Sequence, residues 1–217
     1  MTGAVTARVE FFFDCSSPWT YLAFERMRRL SEARAEAITW RPILAGGVFN
    51  AVNPELYARR AAISPARAAH SAKDMADWAR LYGIAVHFPP ACGHPVNSVK
   101  CMRACTVLDS APRLAFAEQA FRALWRDGRD LADDGVLRDI ATAAGIDGDW
   151  LADAITRPAA KAGLRAATDE LIARGGFGSP TIFVDRDDMY FGNDRIVLVE
   201  AALDKPARTP VDRRGDH

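Results

Sequence analysis

The sequence lacks a net charge, a long apolar run and a cysteine framework. Its 28 Lys and Arg residues balance 28 Asp and Glu residues, and 49% of the 217 residues are hydrophobic. This balance argues against a disordered chain, collagen or a strongly basic nucleic-acid binder. No apolar run approaches the roughly 18 residues that a membrane helix requires. The first residues show no basic segment followed by an apolar stretch, so we expect a cytoplasmic protein with neither nucleic-acid nor membrane partners.

Cysteine is scarce and irregularly spaced. The four cysteines are Cys15, Cys92, Cys101 and Cys105. A chain of this size buries an adequate core without cross-links, and disulfide scaffolds belong mainly to small secreted domains. We therefore expect reduced thiols.

The two ends of the chain carry the strand signals. Residues 8–13 are aromatic and almost continuously apolar at their end, which predicts a central strand buried on both faces. Ser17 and Pro18 form a plausible N-cap and first turn of a helix, and residues 37–41, closed by Pro42, predict a second strand. This strand–helix–strand opening has a helix long enough for a parallel crossover.

From about residue 54 to residue 174 the sequence shows helical periodicity and almost no strand signal. Strand character returns at residues 181–184 and, after a polar turn, at residues 189–191, which predicts a hairpin. A last helix would begin near Asn193 and Asp194 and bury its apolar positions, which are Ile196, Val199 and Leu203. Residues 205–217 predict a disordered tail.

The order of elements resembles the thioredoxin fold of the DsbA-like and kappa-class glutathione transferase group. Four motifs, at residues 13–23, 40–49, 177–181 and 191–195, have the order and spacing typical of 2-hydroxychromene-2-carboxylate isomerases. The resemblance covers roughly residues 8–204. It implies an α/β fold in which residues 1–43 and 175–204 form a discontinuous thioredoxin-like domain and residues 44–174 form a helical insertion.

The resemblance gives Ser17 the position at which thioredoxin-like oxidoreductases carry their nucleophilic cysteine. The second redox cysteine is replaced by Thr20, so this loop lacks the sulfurs that disulfide exchange requires. A hydroxyl group at a helix N-terminus can donate to a glutathione thiolate, and the helix dipole favours the anion. We therefore expect Ser17 to stabilise that thiolate, although a Ser-Pro pair is also an ordinary helix cap.

The resemblance also implies how glutathione is held. Pro180 is expected to follow a cis peptide bond, so that the backbone of Ser179 pairs with the cysteinyl part of the tripeptide. The side chain of Ser179 is expected to be secondary. The N–H groups of Asn193 and Asp194 suit the γ-glutamyl carboxylate, and the Asp194 side chain suits the neighbouring ammonium group. Phe191 and Gly192 belong to the same motif and are expected to take part in this site. The alternative is that Asn193 and Asp194 are only an N-cap pair.

The second substrate implied by the resemblance is a small aromatic carboxylate. The known family reaction interconverts 2-hydroxychromene-2-carboxylate and trans-o-hydroxybenzylidenepyruvate, with glutathione as a catalyst that is not consumed. The pocket is expected between Ser17 and the helical insertion. Its expected lining residues are Trp19, Trp40, Phe49, Asn50, Asn53, Arg60 and Asn97. Many relatives have Lys at the position of Asn50, so the identity of the substrate stays open, and Asn97 has the alternative of capping a helix.

Other classes of function stay open at this stage. Cys92, His94, Cys101 and Cys105 could bind zinc, although their spacing matches no common structural knuckle; we expect no metal. A kappa-like glutathione transferase or peroxidase would use the same glutathione site. A DsbA-like oxidoreductase would depend on Cys15, and a glutathione-binding scaffold would show no turnover. Related proteins are commonly homodimers, and we expect the same here.

Overall fold

The computed structural model describes residues 8–55 and 62–206, and these form a four-stranded sheet with helices around it. The strands are β1 (Val9–Phe13), β2 (Ile38–Pro42), β3 (Thr181–Val184) and β4 (Asp188–Phe191). The helices are α1 (Pro18–Arg34), α2 (Ala45–Val52), α3 (Pro65–Tyr82), α4 (Val99–Val107), α5 (Ser110–Trp125), α6 (Asp134–Ala143), α7 (Gly148–Ala154), α8 (Pro158–Ala173) and α9 (Ile196–Leu203). The 3-10 turn Asn193–Arg195 precedes α9.

The sheet joins the two ends of the chain in the order β2-β1-β3-β4. Strand β1 pairs in parallel with β2 and antiparallel with β3, and β3 pairs antiparallel with β4. The predicted parallel opening and C-terminal hairpin are confirmed. Phe11, Phe12 and Phe13 are fully buried, as expected for a central strand covered on both faces.

Local sequence explains where α1 begins and ends. The Ser17 side chain accepts a hydrogen bond from the backbone of Thr20, and Pro18 occupies the first turn, where its missing N–H costs nothing. The helix ends at Ala35, which has a left-handed backbone. Its buried face, which includes Leu22, Phe24 and Met27, packs into the core.

The main core is an aromatic cluster shared by the sheet, α1 and α5. The ring of Phe24 lies 4.9 Å from the rings of both Trp40 and Phe121, measured between centroids. Trp40 is only 6% exposed. The expectation that Trp40 lines the substrate pocket is therefore wrong, because its strand position turns the indole into this cluster.

The middle of the chain is helical, as its periodicity predicts. In the last helix, Ile196, Val199 and Leu203 are buried, which confirms the predicted face. Residues 1–7, 56–61 and 207–217 lie outside the described part of the chain, and with them lie Arg60 and most of the predicted tail. The boundaries of the two predicted domains stay a prediction. None of the described helices is long and apolar enough to cross a membrane.

Candidate functional site

The start of α1 presents a half-buried serine at its N-cap. Ser17 Oγ accepts a hydrogen bond from the Thr20 N–H at 3.2 Å. The Ser17 N–H donates to the Asp14 carbonyl oxygen at 3.2 Å, which fixes the turn that leads into the helix. Because Ser17 Oγ accepts from the backbone, its own hydrogen is left to donate to another group.

The loop before β3 lies against this helix start. The Ser179-Pro180 peptide bond is cis, as the sequence predicts. Ser179 Oγ accepts from the Asp14 N–H at 3.0 Å and lies 2.8 Å from Thr20 Oγ1. This hydroxyl joins two segments that are distant in sequence, so the Ser179 side chain has a role in the fold, while its secondary role in glutathione binding stays a prediction. Its backbone N–H and C=O make no hydrogen bond to the described residues.

A buried carboxyl group lies behind the Ser17 turn. Asp14 Oδ1 accepts from the Ser16 N–H at 2.9 Å, and Oδ2 accepts from the Ala45 N–H at the start of α2 at 2.8 Å. Burial raises the pKa of Asp14, although hydrogen bonds from Ser16, Ala45 and the Ser98 side chain oppose this. Asp14 thus links the Ser17 turn to α2 and to the start of α4. The sequence motif contains this residue, but its spacing does not reveal these partners.

A second cluster of predicted residues lies at the start of the 3-10 turn. Gly192 has a φ of +104°, and a Cβ atom there would lie 2.6 Å from Asp194 Oδ1, so glycine is required. Asn193 is only 4% exposed, and its Nδ2 has no hydrogen-bond partner within the described ranges. The Asp194 carboxylate is exposed and forms an ion pair with Arg195 at 2.6 Å.

Tyr82 at the end of α3 approaches the same turn. Burial raises the pKa of Tyr82, and the charge of Arg26 and the nearby Asn193 side chain oppose this rise. The Tyr82 phenol is thus a polar neighbour of the buried amide, but it lies outside hydrogen-bond geometry, and Asn193 Nδ2 has no hydrogen-bond partner among the described residues. Sequence reasoning missed Tyr82, since α3 is far from this turn along the chain.

Aromatic side chains surround the glycine before Ser179. A Cβ atom on Gly178 would lie 2.9 Å from Phe191 Cε2 and 3.3 Å from Phe49 Cε1. Phe191 also packs on Phe177 with 4.5 Å between ring centroids, and both rings are partly exposed. The structure therefore brings together two predicted residues, Phe49 and Phe191, and adds Phe177, which sequence reasoning did not assign.

The other predicted substrate residues have varied environments. Trp19 packs against a small apolar cluster that includes Leu22 and Met75 of α3. Asn50 is exposed on α2, and Asn53 is half-buried at the end of that helix. Asn97 is exposed, and its Oδ1 accepts from the Val99 N–H at 3.1 Å, so the capping alternative is observed.

A hollow of about 960 Å³ lies along the first half of α3 and includes Arg67, His70 and Ser71 in its lining. None of the predicted site residues is among its lining residues. The predicted pocket between Ser17 and the helical segment therefore stays a prediction.

The structure separates Cys92 from the other three cysteines, which the zinc alternative did not anticipate. Cys92 is exposed, whereas Cys15, Cys101 and Cys105 are fully buried, and their Sγ atoms all lie within 4.8 Å of one another. Burial raises the pKa of Cys15, and a hydrogen bond with Cys105, together with burial, raises the pKa of Cys101. Burial also opposes ionisation of Cys105, but hydrogen bonds from the other two thiols and the charge of Arg113 lower its pKa. The zinc alternative of the sequence analysis grouped Cys101 and Cys105 with Cys92 and His94, whereas in the structure Cys15 lies beside them.

The fold defines a thioredoxin-like protein with Ser17 at the N-cap of α1 and Thr20 in its first turn. The model of the DSBA-like thioredoxin domain matches residues 8–204, so the chain belongs to this family.

Two groups of named relatives cover almost the whole chain. A 2-hydroxychromene-2-carboxylate isomerase from Sphingobium xenophagum is 30% identical over 92% of this chain and 99% of its own. Glutathione S-transferase kappa 1 from Caenorhabditis elegans is 25% identical over 94% of this chain and 93% of its own. A solved 2-hydroxychromene-2-carboxylate isomerase is 26% identical, covers 90% of this chain and 94% of its own, and superposes with a TM-score of 0.78.

Proposed function

We propose that the protein is a glutathione-dependent isomerase that interconverts 2-hydroxychromene-2-carboxylate and trans-o-hydroxybenzylidenepyruvate, or acts on a related aromatic carboxylate. The observation that carries the proposal is Ser17 at the N-cap of α1, with its Oγ accepting from Thr20. The isomerases among the relatives support the reaction class.

The residues present fit glutathione at three points. The free N–H and C=O of Ser179 suit the backbone of the cysteinyl residue, in the manner of an added strand. The Asn193 Nδ2, buried and without an acceptor, suits a carboxylate of the γ-glutamyl end. Asp194 would exchange its ion pair with Arg195 for the ammonium group. Phe191 and Gly192 shape this end of the site.

Ser17 would supply the catalytic hydrogen bond. When bound, glutathione supplies a thiolate that can add reversibly to the conjugated system of the substrate. A hydrogen bond to a charged group is worth about 1.5–3 kcal/mol, and a helix N-terminus adds about 0.3–1 kcal/mol. Since one pKa unit is about 1.4 kcal/mol, these interactions lower a thiol pKa of about 8.5 to about 7 or below. Ser17 and the first turn are therefore sufficient to ionise the thiol at neutral pH.

The second substrate would lie beside the aromatic side chains near Gly178. Phe49 is close to this glycine and belongs to α2, which also carries Asn50. We assign aromatic contacts to Trp19 and Phe49, and hydrogen bonds to the substrate carboxylate to Asn50, Asn53 and Asn97. Amide groups donate hydrogen bonds without a charge, so carboxylate binding here depends on geometry.

The decisive experiment compares Ser17→Ala with Ser64→Ala. Ser64 caps α3 in the same way, with its Oγ accepting from Arg67 N–H and Pro65 following it. Each variant should lose about 1 kcal/mol of stability from its helix cap. Only Ser17→Ala should lose at least tenfold in the rate of glutathione-dependent isomerisation, measured spectrophotometrically. The pKa of bound glutathione, from its thiolate absorbance, should rise by about one unit. Equal rates in the two variants would contradict the role of Ser17.

A kappa-like glutathione transferase is the second candidate, favoured by the kappa-class relatives. The two activities differ in what happens to glutathione. A transferase would consume it stoichiometrically with a halogenated aromatic electrophile and leave the hydroxychromene unchanged. The isomerase would return it unchanged.

We also propose a homodimer in the cytoplasm. Light scattering coupled to size-exclusion chromatography should give twice the chain mass of 23.7 kDa.

A further inference from the structure

Three buried thiols converge behind the Ser17 turn. Cys101 and Cys105 lie four residues apart on α4, which places them on one helix face. Cys15 follows β1 and faces them, and all three Sγ atoms lie within 4.8 Å of one another. Each of the three residues has 0% exposure. The cluster lies outside the glutathione contacts described above.

Neighbouring groups hold the two segments together without using the thiols. The Cys15 N–H donates to Met102 Sδ at 3.3 Å, and Trp125 Nε1 donates to the Cys15 carbonyl oxygen at 2.9 Å. Arg113 Nε donates to the Cys105 carbonyl oxygen at 2.7 Å. These backbone hydrogen bonds position the three sulfurs. Met102 Sδ and the positive charge of Arg113 lie nearby.

The geometry fits a three-coordinate ion. Metal–thiolate bonds of about 2.3 Å, as for zinc, put three sulfurs in a trigonal arrangement about 4 Å apart. The Sγ–Sγ distances, which are at most 4.8 Å, would therefore have to shorten by less than about 1 Å when the ion binds.

Among the described residues, the three thiols have no fourth neighbour of the kinds that usually bind zinc. The nearby Asp14 carboxylate already accepts two backbone N–H groups, and no further His, Cys, Asp or Glu joins the three thiols among the described residues. Their full burial leaves no access for a water ligand. Tetrahedral zinc is therefore disfavoured, whereas thiolate and thioether sulfur select copper(I).

We propose that Cys15, Cys101 and Cys105 form a binding site for one copper(I) ion. On binding, two of the three sulfurs are held as thiolates and form copper–thiolate bonds, and each S–H proton lost in forming them passes to solvent. The third sulfur donates a lone pair, and copper keeps its oxidation state. The complex then carries a net charge of −1, which the nearby Arg113 guanidinium offsets in the apolar core.

The test is a copper(I) titration under anaerobic, reducing conditions against a chromophoric copper(I) chelator. It is run on the native protein and on protein refolded with copper(I), because the buried site requires a local opening. We expect one copper per chain in at least the refolded sample, with three sulfur neighbours by X-ray absorption. Cys92→Ala, which removes the exposed thiol, should bind as the wild type does.

Cys101→Ala and Cys105→Ala should each weaken copper retention at least tenfold, with far-ultraviolet circular dichroism confirming that they fold. If neither native nor refolded wild type retains copper against the chelator, the proposal is wrong. Retention that is lost in Cys92→Ala, or an X-ray spectrum with fewer than three sulfur neighbours, would also overturn it. None of these readouts depends on glutathione or on isomerase activity.

Discussion

The hydroxyl groups of Thr20 and Ser179 lie 2.8 Å apart in a buried contact that joins the first turn of α1 to the loop before β3. Thr20 is fully buried, and Ser179 Oγ also accepts from the Asp14 N–H. In the family resemblance Thr20 occupies the position of the second redox cysteine. At this position Thr20 forms a structural hydrogen bond that joins the two segments of the candidate site.

Replacing Thr20 by valine should test this contact, since valine has the same shape but no hydroxyl. The buried Ser179 hydroxyl would lose a partner, and we expect a loss of about 1–3 kcal/mol in the free energy of unfolding, measured with urea. Thr156→Val is the matched control, because the Thr156 hydroxyl bonds only to the Asp153 carbonyl oxygen on an exposed surface. Its effect should stay within about 0.5 kcal/mol. Equal effects would contradict a structural role for Thr20.

The fold follows from local sequence signals more completely than the site does. The aromatic run of β1, the Ser17-Pro18 helix start and the polar turn of the hairpin each specify a local structure, and the structure confirms all three. Trp40 shows the limit of this reasoning. Its motif suggested a pocket wall, but the register with Phe11 places it in the core.

Contacts between distant segments could not be predicted from spacing. Cys15 meets Cys101 and Cys105 only because α4 packs behind the Ser17 turn, and no local pattern encodes that packing. The unpartnered Asn193 amide is likewise a property of the folded surroundings. Motif resemblance could nominate Asn193 for glutathione binding, but it could not show that its Nδ2 lacks an acceptor.

Asp14 predicts a particular pH dependence of stability. Its pKa in the folded protein is raised above the ordinary value of 3.8 by burial. From about pH 4 upward, the folded state therefore keeps a proton that the unfolded state has lost, so stability from this group falls as pH rises through the raised pKa. In urea unfolding, the stability of the wild type minus that of Asp14→Asn should decrease from pH 4 to pH 7.

Asp77 provides a control of opposite sign. Lys73 and Arg80 lower its pKa on an exposed helix face. The free energy of unfolding of the wild type minus that of Asp77→Asn should rise slightly with pH below the ordinary carboxyl pKa of 3.8 and level off above it. If the Asp14 difference also rises with pH, the buried carboxyl is stabilised in its charged form and the assignment of burial as the dominant effect is wrong.

Replacing Asn193 should preserve or raise the stability of the ligand-free protein and weaken its binding of glutathione. Its buried Nδ2 lacks an acceptor, and an unsatisfied buried donor costs about 1–3 kcal/mol. Asn193→Leu keeps the branched shape of the side chain without polar atoms and removes that cost, so the ligand-free variant should unfold at the same free energy as the wild type or a higher one. Its affinity for glutathione, measured by calorimetry, should fall at least tenfold because the amide no longer meets the γ-glutamyl carboxylate. Thr156→Val, at an exposed residue with no role in the proposed site, should leave the affinity unchanged. A destabilised Asn193→Leu that still binds glutathione normally would show that the amide serves the fold and contributes nothing to ligand binding.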